Sequence, residues 1–234
     1  MISIIIPTLN EEKKIQSCLN SLVNQTLNDF EVLIVDGGSH DTTLNIVREF
    51  GPRIIEVPKK RAHDVSCARN EGIKVSKGDI LVFLDADTLL STNCLEVLDD
   101  CFRSPRVVGV SCQTLPLDGN HLENLLYRCN NLLIDLSNRM RMNQFSYFSC
   151  LGYKRDSVTQ VGGFREDLHA CEDIDLARRL SRLGKFVFTK KARCLTSPRR
   201  LRQWSYPRYL AKYVKYLSQY YILGHVYDDY EDLH

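Results

Sequence analysis

The stretch that decides the fold is Ile-Leu-Val-Phe-Leu-Asp-Ala-Asp at residues 80–87. Five consecutive apolar residues fit a strand that is buried on both faces, as in a parallel sheet covered by helices. Two carboxylates, Asp85 and Asp87, follow this strand directly. Because open parallel sheets bind ligands beyond the carboxyl ends of their strands, these two residues are the first candidates for a binding site.

The same pattern recurs along the first half of the chain. Short runs rich in β-branched residues alternate with segments of helical spacing, which is typical of βαβα folds. The predicted strands are 2–6, 31–35, 54–57, 80–84 and 107–110, and a long helix with one apolar stripe is predicted over 121–141. We therefore expect an α/β protein with a Rossmann-like, mostly parallel sheet flanked by helices.

Polar residues also follow the first two predicted strands. They form the segments 7–11 (Pro-Thr-Leu-Asn-Glu) and 36–39 (Asp-Gly-Gly-Ser). Taken singly, these residues have ordinary explanations: Asn10 and Asp41 suit helix caps, as does Asp64, and two glycines suit a turn. Three polar strand ends in succession favour a ligand crevice.

The Asp-x-Asp pair has a more specific interpretation. In an extended segment, Asp85 and Asp87 point to the same side and offer hard oxygen ligands to Mg²⁺ or Mn²⁺, which in turn can hold a diphosphate. The alternative is a solvated turn in which Asp87 caps the next helix. The Gly-x-Gly-x-x-Gly fingerprint and the Walker phosphate loop are both missing, which argues against hydride transfer and nucleotide hydrolysis.

The composition is that of a soluble globular protein. The 234 residues include 44% hydrophobic and 26% charged ones, enough for one sizeable domain with a small appendage. No apolar run is long enough to span a bilayer and no signal peptide is evident, so we expect a cytoplasmic protein. Nine cysteines without a Cys-x-x-Cys pair predict neither a disulfide framework nor a zinc site, but small buried apolar side chains.

The charge distribution is uneven although the formal net charge is only +2. Residues 176–227 contain 13 basic and no acidic residues, and residues 228–234 contain four acidic ones. A basic C-terminal quarter favours an anionic partner, such as the phosphates of a small molecule, a nucleic acid or a lipid surface.

Six segments together make the chain resemble the family 2 glycosyltransferases. They occur in the family's order at 4–11, 35–43, 68–73, 78–87, 162–166 and 172–176. The resemblance implies a GT-A fold that transfers a sugar, with inversion, from a nucleoside diphosphate sugar to a hydroxyl acceptor. We assign residues 1–200 to this glycosyltransferase domain. Residues 201–234 are assigned to a basic, aromatic helical extension that packs on the domain, a partner or a membrane.

The resemblance also implies a role for particular residues. Pro7, Thr8 and Glu11 would line the nucleotide pocket. Asp36 would hydrogen-bond the base, and Arg69 would lie near the nucleotide. Asp85 would bind ribose or metal-linked water, Asp87 would ligate Mg²⁺ or Mn²⁺, and Asp173 would be the catalytic base. These roles suit an inverting displacement, which needs a base for the acceptor and positive charge on the leaving group. The alternative for the Glu172-Asp173 pair is stabilisation of a helix N-terminus.

The chain departs from the family pattern near its basic quarter. Thr196 occupies the place where the family often has a metal- or phosphate-binding His, so the diphosphate would depend on Arg199 and Arg200, whose alternative is a solvated basic face. This departure leaves open a nucleotide-sugar-binding scaffold without turnover. The Gln-x-x-Arg-Trp segment of processive synthases is not matched at 202–204, which favours a non-processive hexosyltransferase. A sugar nucleotidyltransferase would need a Gly-rich loop after the first strand, and none is present.

The segment 199–223 combines aromatic and basic residues at helical spacing. Its predicted aromatic face contains Trp204, Tyr206, Tyr209, Tyr213, Tyr216, Tyr220 and Tyr221, and its polar stripe contains Arg208, Lys212, Lys215 and Gln219. Such a helix suits an anionic membrane surface and a lipid-linked acceptor, or packing against the domain or a homodimer partner. No nucleic-acid partner is expected, because no recognised module accompanies the charge. Acceptor contacts are expected from residues 113–153.

Overall fold

The structure is a computed structural model and describes residues 1–56, 64–140 and 149–226. Within these residues the chain alternates strands and helices as far as β4 and then becomes less regular. The strands are β1 (Ile2–Thr8), β2 (Phe30–Asp36), β3 (Arg53–Glu56), β4 (Ile80–Leu84), β5 (Thr88–Leu90), β6 (Val107–Pro116), β7 (Cys150–Lys154) and β8 (Lys185–Thr196). The helices are α1 (Ile15–Val23), α2 (Thr43–Phe50), α3 (Val65–Val75), α4 (Cys94–Phe102), α5 (His121–Arg139), α6 (Arg155–Gln160), α7 (Glu172–Leu180), α8 (Arg199–Trp204) and α9 (Tyr206–Leu223).

The eight strands form one sheet in the order β3-β2-β1-β4-β7-β6-β8-β5. Strands β1 to β4 pair in parallel, as the crossover helices between them require. Strand β7 is antiparallel to both of its neighbours, β4 and β6, and β5 is antiparallel to β8. The sheet is therefore mostly parallel, with two reversed strands in its second half.

The five predicted strands are confirmed, and three strands were not predicted. Strand β7 contains Gly152 and Lys154 and therefore lacks an apolar run, and β8 alternates basic and apolar residues. Strand β5 has only three residues. Short or mixed segments such as these form strands because of their sheet neighbours, so their own residue pattern is weak.

The two faces of the sheet carry separate hydrophobic cores. In β1, Ile4 and Ile6 pack on one face while Ile5 packs on the other, and all three are fully buried. This alternation follows from the two-residue period of a strand. Both faces are covered, which explains why the central strands are apolar along their whole length.

Helix α5 is present as predicted, but its apolar stripe faces outward. Its buried residues are Glu123, Asn131, Ile134 and Ser137. Its exposed apolar residues are Leu122, Leu125, Leu126, Leu132, Leu133, Leu136 and Met140. An apolar stripe commonly marks the core side of a helix, but the stripe of α5 does not. The inner face of the helix is held by the buried Ile134 and by Asn131, which bonds both backbone groups of Thr114 on β6.

The C-terminal segment packs on the domain. Leu201 and Trp204 of α8 are buried, and Tyr216 and Tyr220 of α9 lie in a small core with Leu168, Ala170, Ile174 and Val226. The predicted aromatic face therefore does not reach solvent at Tyr216 or Tyr220, which are 3% exposed. Since α8 begins at Arg199, the assigned boundary between residues 200 and 201 falls inside a helix. Among the described residues, no helix is both long and apolar enough to cross a bilayer.

Candidate active site

The ends of β2, β1 and β4 lie side by side at one edge of the sheet. Thr8 pairs with Asp36 across β1 and β2, and the amide of Gly37 donates to the carbonyl of Thr8 at 2.8 Å. Because β4 is the other neighbour of β1, Asp85 emerges at the same edge. The three polar strand ends that the sequence singled out are thus brought together, as parallel pairing requires.

The loop after β1 is shaped by its contacts with the loop after β2. Asn10 adopts a left-handed φ of 50°, its amide donates to Ser39 Oγ, and its side-chain oxygen accepts from the amide of His40. Asn10 does not cap a helix, because α1 begins only at Ile15. Asn10 therefore joins the loop after β1 to the loop after β2.

The helix cap expected at Asp64 is confirmed, since its carboxylate accepts from the amide of Cys67 at the start of α3.

Pro7 and Thr8 end β1, beside the end of β2. Pro7 is half-buried, and Thr8 is buried with its hydroxyl donating to the carbonyl of Ile6 at 3.1 Å. At the next strand end, Asp36 is 2% exposed and accepts hydrogen bonds from both the amide and the hydroxyl of Ser39 and from the amide of Gly38. Its carboxylate thus shapes its own turn, and a bond from Asp36 to a nucleotide base stays a prediction.

The two carboxylates after β4 lie in different surroundings. The side chain of Asp85 is 44% exposed, whereas that of Asp87 is 9% exposed. The hydroxyl of Thr196 lies 3.4 Å from Asp87 Oδ1 and accepts from Ser149 Oγ at 3.0 Å. Asp87 does not cap a helix, because β5 follows it. Burial, together with the neighbouring Asp85 carboxylate, raises the pKa of Asp87 to about 6.

A guanidinium lies beside Asp87. Arg199, at the start of α8, forms two hydrogen bonds with the carboxylate of Glu11, and its Nε lies 3.5 Å from Asp87 Oδ2. Arg200 also acts electrostatically on Asp87 and lowers its pKa. The sequence placed Glu11 and Asp87 near a nucleotide but did not predict that Arg199 would link them. These residues are far apart along the chain, so spacing carries no signal for the pair.

A second guanidinium, that of Arg69 on α3, links Asp85 to the start of α7. Its Nη1 contacts Asp173 at 2.8 Å and Glu172 at 3.0 Å, and its Nη2 lies 3.8 Å from Asp85. Its carbon Cζ lies over the ring of Phe164 at 5.1 Å from the centroid. Burial opposes the charge of Arg69, but the three carboxylates raise its pKa further above its already high value. The single buried guanidinium of Arg69 therefore interacts with three carboxylates.

Asp173 lies at the centre of this arrangement. Its side chain is 19% exposed. Burial raises the pKa of Asp173, Arg69 opposes that rise, and the carboxylates of Glu172 and Asp85 add to it. A carboxylate with a raised pKa is a stronger base than ordinary aspartate, which suits general base catalysis.

The backbone before Asp173 is unusual. Cys171, the residue that precedes α7, has a left-handed φ of 63°, which non-glycine residues adopt rarely. Within α7, Asp175 is buried, accepts from Arg179 at 2.7 Å, and accepts from the hydroxyl of Tyr220 on α9 at 3.0 Å. Nothing in the sequence pattern singled out Cys171 or Asp175. The amide of Asp175 donates to the carbonyl of Cys171 at 2.9 Å, so the two residues are joined across the first turn of α7.

The donor atoms around Asp87 fit a divalent cation of the Mg²⁺ or Mn²⁺ type. Carboxylate oxygens are the ligands that these ions prefer, and such ions usually take few ligands from the protein and the rest from phosphate and water. Asp87 provides one such group and the partly exposed Asp85 another. The guanidinium of Arg199 already lies between Glu11 and Asp87, which shows that the field there favours positive charge. Asp87 and Asp85 could therefore hold the ion.

Fold and site together define a class of protein. A mostly parallel sheet flanked by helices, with carboxylates and arginines at the carboxyl ends of its strands, agrees with the GT-A fold that the sequence resemblance implies. The sequence profile of the family described as Glycosyl transferase family 2 matches residues 3–161. The chain belongs to this family.

Comparison with individual proteins agrees with that assignment. The chain is 29% identical over 197 residues to chondroitin synthase of Escherichia coli, covering 82% of this chain and 28% of that protein. It is 43% identical over 93 residues to a PGL/p-HBAD biosynthesis glycosyltransferase of Mycobacterium bovis (strain BCG), covering 38% of this chain and 36% of that one. The chain thus spans about a third of the length of these relatives.

A solved structure shows the same fold. The mannosyltransferase PcManGT of Pyrobaculum calidifontis, in complex with GDP-Man and Mn²⁺, superposes with a TM-score of 0.77 at 21% identity. The match covers 95% of this chain and 63% of that chain. The expected GT-A fold is therefore confirmed.

Proposed function

We propose that the chain transfers a sugar, with inversion, from a nucleoside diphosphate sugar to a hydroxyl acceptor. The observation that carries this proposal is the convergence of Asp85, Asp87 and Asp173 on two arginines at one edge of the sheet. The relatives support the class of reaction, since they are named glycosyltransferases, and PcManGT is described with GDP-Man bound.

Asp173 is the proposed catalytic base. In an inverting displacement the acceptor hydroxyl loses its proton as its oxygen attacks the anomeric carbon, and a nearby carboxylate accepts that proton. The raised pKa of Asp173 suits this task. Arg69 orients the carboxylate through the 2.8 Å contact and opposes the rise of its pKa.

Asp87, assisted by Asp85, is proposed to hold Mg²⁺ or Mn²⁺ beside the diphosphate. The ion, when bound, supplies positive charge to the diphosphate leaving group. Arg199 and Arg200 are proposed to contact the same diphosphate, because both act electrostatically on Asp87. Because Thr196 stands in the place of the family's His, the diphosphate would depend on these two arginines for positive charge from side chains. Arg199 would have to exchange Glu11 for phosphate oxygens when the donor binds.

The remaining strand ends are proposed to hold the nucleoside. Pro7, Thr8 and Glu11 are proposed to line the nucleotide pocket, which is supported by their position beside the end of β2 and its residue Asp36. Because the carboxylate of Asp36 is occupied by Gly38 and Ser39, this turn would present its backbone, or the remaining lone pairs of Asp36, to the base. Arg69 and Asp85 lie on the side toward the proposed base, Asp173.

A thermal-shift panel tests the donor site directly. We would measure the melting temperature of the whole chain with UDP, GDP, CDP and dTDP, each with and without Mn²⁺. A ligand that binds only the folded chain raises the melting temperature by mass action. One nucleotide should give the largest shift, and Asp87→Ala should remove the part of the shift that needs Mn²⁺. An unchanged melting temperature with all four nucleotides would refute the donor site. Binding without any release of nucleoside diphosphate from the matching sugar donor would indicate the scaffold protein instead.

We also propose that the acceptor is presented at an anionic membrane surface. Besides the outward apolar stripe of α5, helix α9 exposes Leu210, Val214, Tyr221, Ile222 and Leu223. The start of α5 meets the start of α9, where Asn120 donates to the hydroxyl of Tyr206 at 3.2 Å, and it also meets α8, where Arg202 pairs with Glu123. Arg208 and Lys215 are exposed beside the apolar residues of α9. An apolar surface bordered by cations suits anionic lipid, and α8 connects this surface to Arg199 in the site.

A further inference from the structure

Four of the nine cysteines meet in the core beneath the proposed donor site. Cys94 begins α4, Cys112 lies in β6, Cys150 begins β7 and Cys194 lies in β8; each is at most 1% exposed. The sulfur atoms of Cys94, Cys112 and Cys150 all lie within 4.8 Å of one another. The thiol of Cys194 interacts with that of Cys112 and lies 3.2 Å from Thr114 Oγ1.

The sheet order creates this cluster. Strands β6 and β7 pair Ser111 with Leu151, so Cys112 and Cys150 are adjacent across the strands. Strands β6 and β8 pair Thr114 with Cys194. Because β8 and β7 lie on opposite sides of β6, the fourth thiol comes from the side of β6 opposite Cys150. Helix α4 brings its first residue, Cys94, to the same point. The absence of a Cys-x-x-Cys pair argued against a metal site in the sequence, but this spacing rule does not apply to ligands from four separate elements.

The geometry distinguishes a metal site from other uses of thiols. Tetrahedral zinc has Zn–S distances of about 2.3 Å, so its ligand sulfurs lie roughly 4 Å apart. The observed cluster is within about 1 Å of that arrangement. A disulfide would use two of the sulfurs and leave the others without a role. Simple core packing needs apolar side chains, but it does not need three thiols within 4.8 Å of one another and a fourth beside one of them.

We propose that Cys94, Cys112 and Cys150, with Cys194 as the fourth ligand, bind a thiophilic metal ion, Zn²⁺ being the best chemical fit. Each ligating thiol loses its proton to solvent when the metal–sulfur bond forms. Sulfur ligands select Zn²⁺ over the Mg²⁺ or Mn²⁺ proposed at Asp87, so the two sites are chemically distinct. Because the cluster is fully buried, the ion would enter as the chain folds.

This ion would act on the active site through two strand ends. Ser149 precedes Cys150, and Thr196 follows Cys194 by two residues. Ser149 donates to Thr196, whose hydroxyl lies next to Asp87. A metal that joins β6, β7 and β8 would therefore fix the positions of Thr196, which lies next to Asp87, and of Ser149, which donates to Thr196.

The test is the metal content of the whole, untagged chain produced in zinc-supplemented cells. We expect roughly one zinc ion per chain by elemental analysis. Cys112→Val should lose this zinc, whereas Cys67→Ala (buried elsewhere) and Cys129→Ala (exposed) should retain it. Asp87→Ala should retain zinc as well, which separates this proposal from the proposed function.

A second measurement does not depend on the stability of the Cys112 variant. Wild-type chain produced or refolded with Co²⁺ should show the strong visible absorption of tetrahedral cobalt thiolate. Absence of both stoichiometric zinc and this absorption would overturn the proposal. Zinc retained by a folded Cys112→Val chain, or an intact mass two hydrogens below that of the reduced chain under the same conditions, would overturn it too.

Discussion

At the scale of single residues, the site consists of two guanidinium groups that each hold several carboxylates. Arg69 contacts Asp85, Glu172 and Asp173, while Arg199 contacts Glu11 and Asp87. Removing one partner of a buried ion pair leaves an uncompensated charge. Substitutions here therefore change both the chemistry and the pKa values of the groups that remain.

Asp173→Asn should abolish sugar transfer and leave donor binding intact, because an amide keeps the shape but cannot accept a proton. We expect turnover to fall by about 10²–10⁴-fold, measured as release of nucleoside diphosphate from the donor that the thermal-shift panel selects. Asp156→Asn is the matched control, since Asp156 also lies in the first turn of a helix but is exposed. Turnover equal to that of the wild-type chain would exclude Asp173 as the base.

The pH dependence of transfer should report the same carboxylate. The base must be ionised, so kcat/KM should fall on the acid side with an inflection well above the ordinary aspartate pKa of about 4. Since Arg69 is the group that lowers the pKa of Asp173, Arg69→Gln should move this inflection to higher pH. The same change should lower stability by about 3–5 kcal/mol, which thermal melts would show. A pH profile that is unchanged in Arg69→Gln would contradict the assignment.

The raised pKa of Asp173 also determines how this residue changes the stability of the fold with pH. Between the unfolded pKa and the folded pKa, the folded chain binds more protons than the unfolded chain, so this group favours folding less as pH rises. Asp173→Asn should therefore flatten the decline in melting temperature between about pH 5 and pH 8. An equal decline in wild-type and variant chains would show that Asp173 is not shifted.

Arg199→Gln should have opposite effects on metal and nucleotide. Without the guanidinium, a cation no longer competes for Glu11 and Asp87, so Mn²⁺ alone should bind more tightly at a pH where Asp87 is ionised. The affinity for nucleoside diphosphate should fall by about tenfold or more, because a charged hydrogen bond to phosphate is lost. Calorimetric titrations with each ligand would measure both changes. A parallel loss of both affinities would mean that Arg199 only supports the fold of the site.

At the scale of elements, helix α9 supports helix α7, which contains the proposed base Asp173. The hydroxyl of Tyr220 donates to the buried Asp175, and Tyr216 and Tyr220 pack against Ile174. Tyr220→Phe should lower the free energy of unfolding by about 1.5–3 kcal/mol, because it leaves a charged acceptor with one donor fewer. Tyr221→Phe is the control, since that neighbouring ring is partly exposed. Equal urea midpoints for the two variants would contradict this role.

At the scale of the whole molecule, the outward stripe of α5 is the feature that calls for a partner. Ending the chain at Ser197 would also remove Arg199 and the buried part of α9, so surface substitutions are the cleaner test. The triple change Leu125→Gln, Leu132→Gln and Leu136→Gln should reduce co-sedimentation with anionic vesicles several-fold, whereas Val23→Gln on α1 should not. Neutral vesicles should bind both chains weakly.

Two different results of that experiment would contradict membrane docking. Equal sedimentation of all chains would discard membrane docking. A wild-type dimer that the triple change converts to a monomer would identify the stripe as a subunit interface instead. Stable interfaces of that kind bury about 800 Å² on each partner, which one exposed 19-residue helix with its neighbour α9 can supply.

The sequence by itself determined β1 to β4, β6 and the polar strand ends, because apolar period and strand-end residues are local properties of a chain. The class of reaction came from the order of six family motifs, which a sequence also carries without its fold. Only the tertiary structure decided that β7 enters the sheet in reverse, that Arg199 reaches Glu11, and that the sulfur atoms of Cys94, Cys112 and Cys150 lie together. It also decided that α5 turns its leucines outward. These features depend on the order of strands in the sheet and on long-range contacts. Periodicity reports which faces of an element are apolar, but it carries no information about which neighbour covers them.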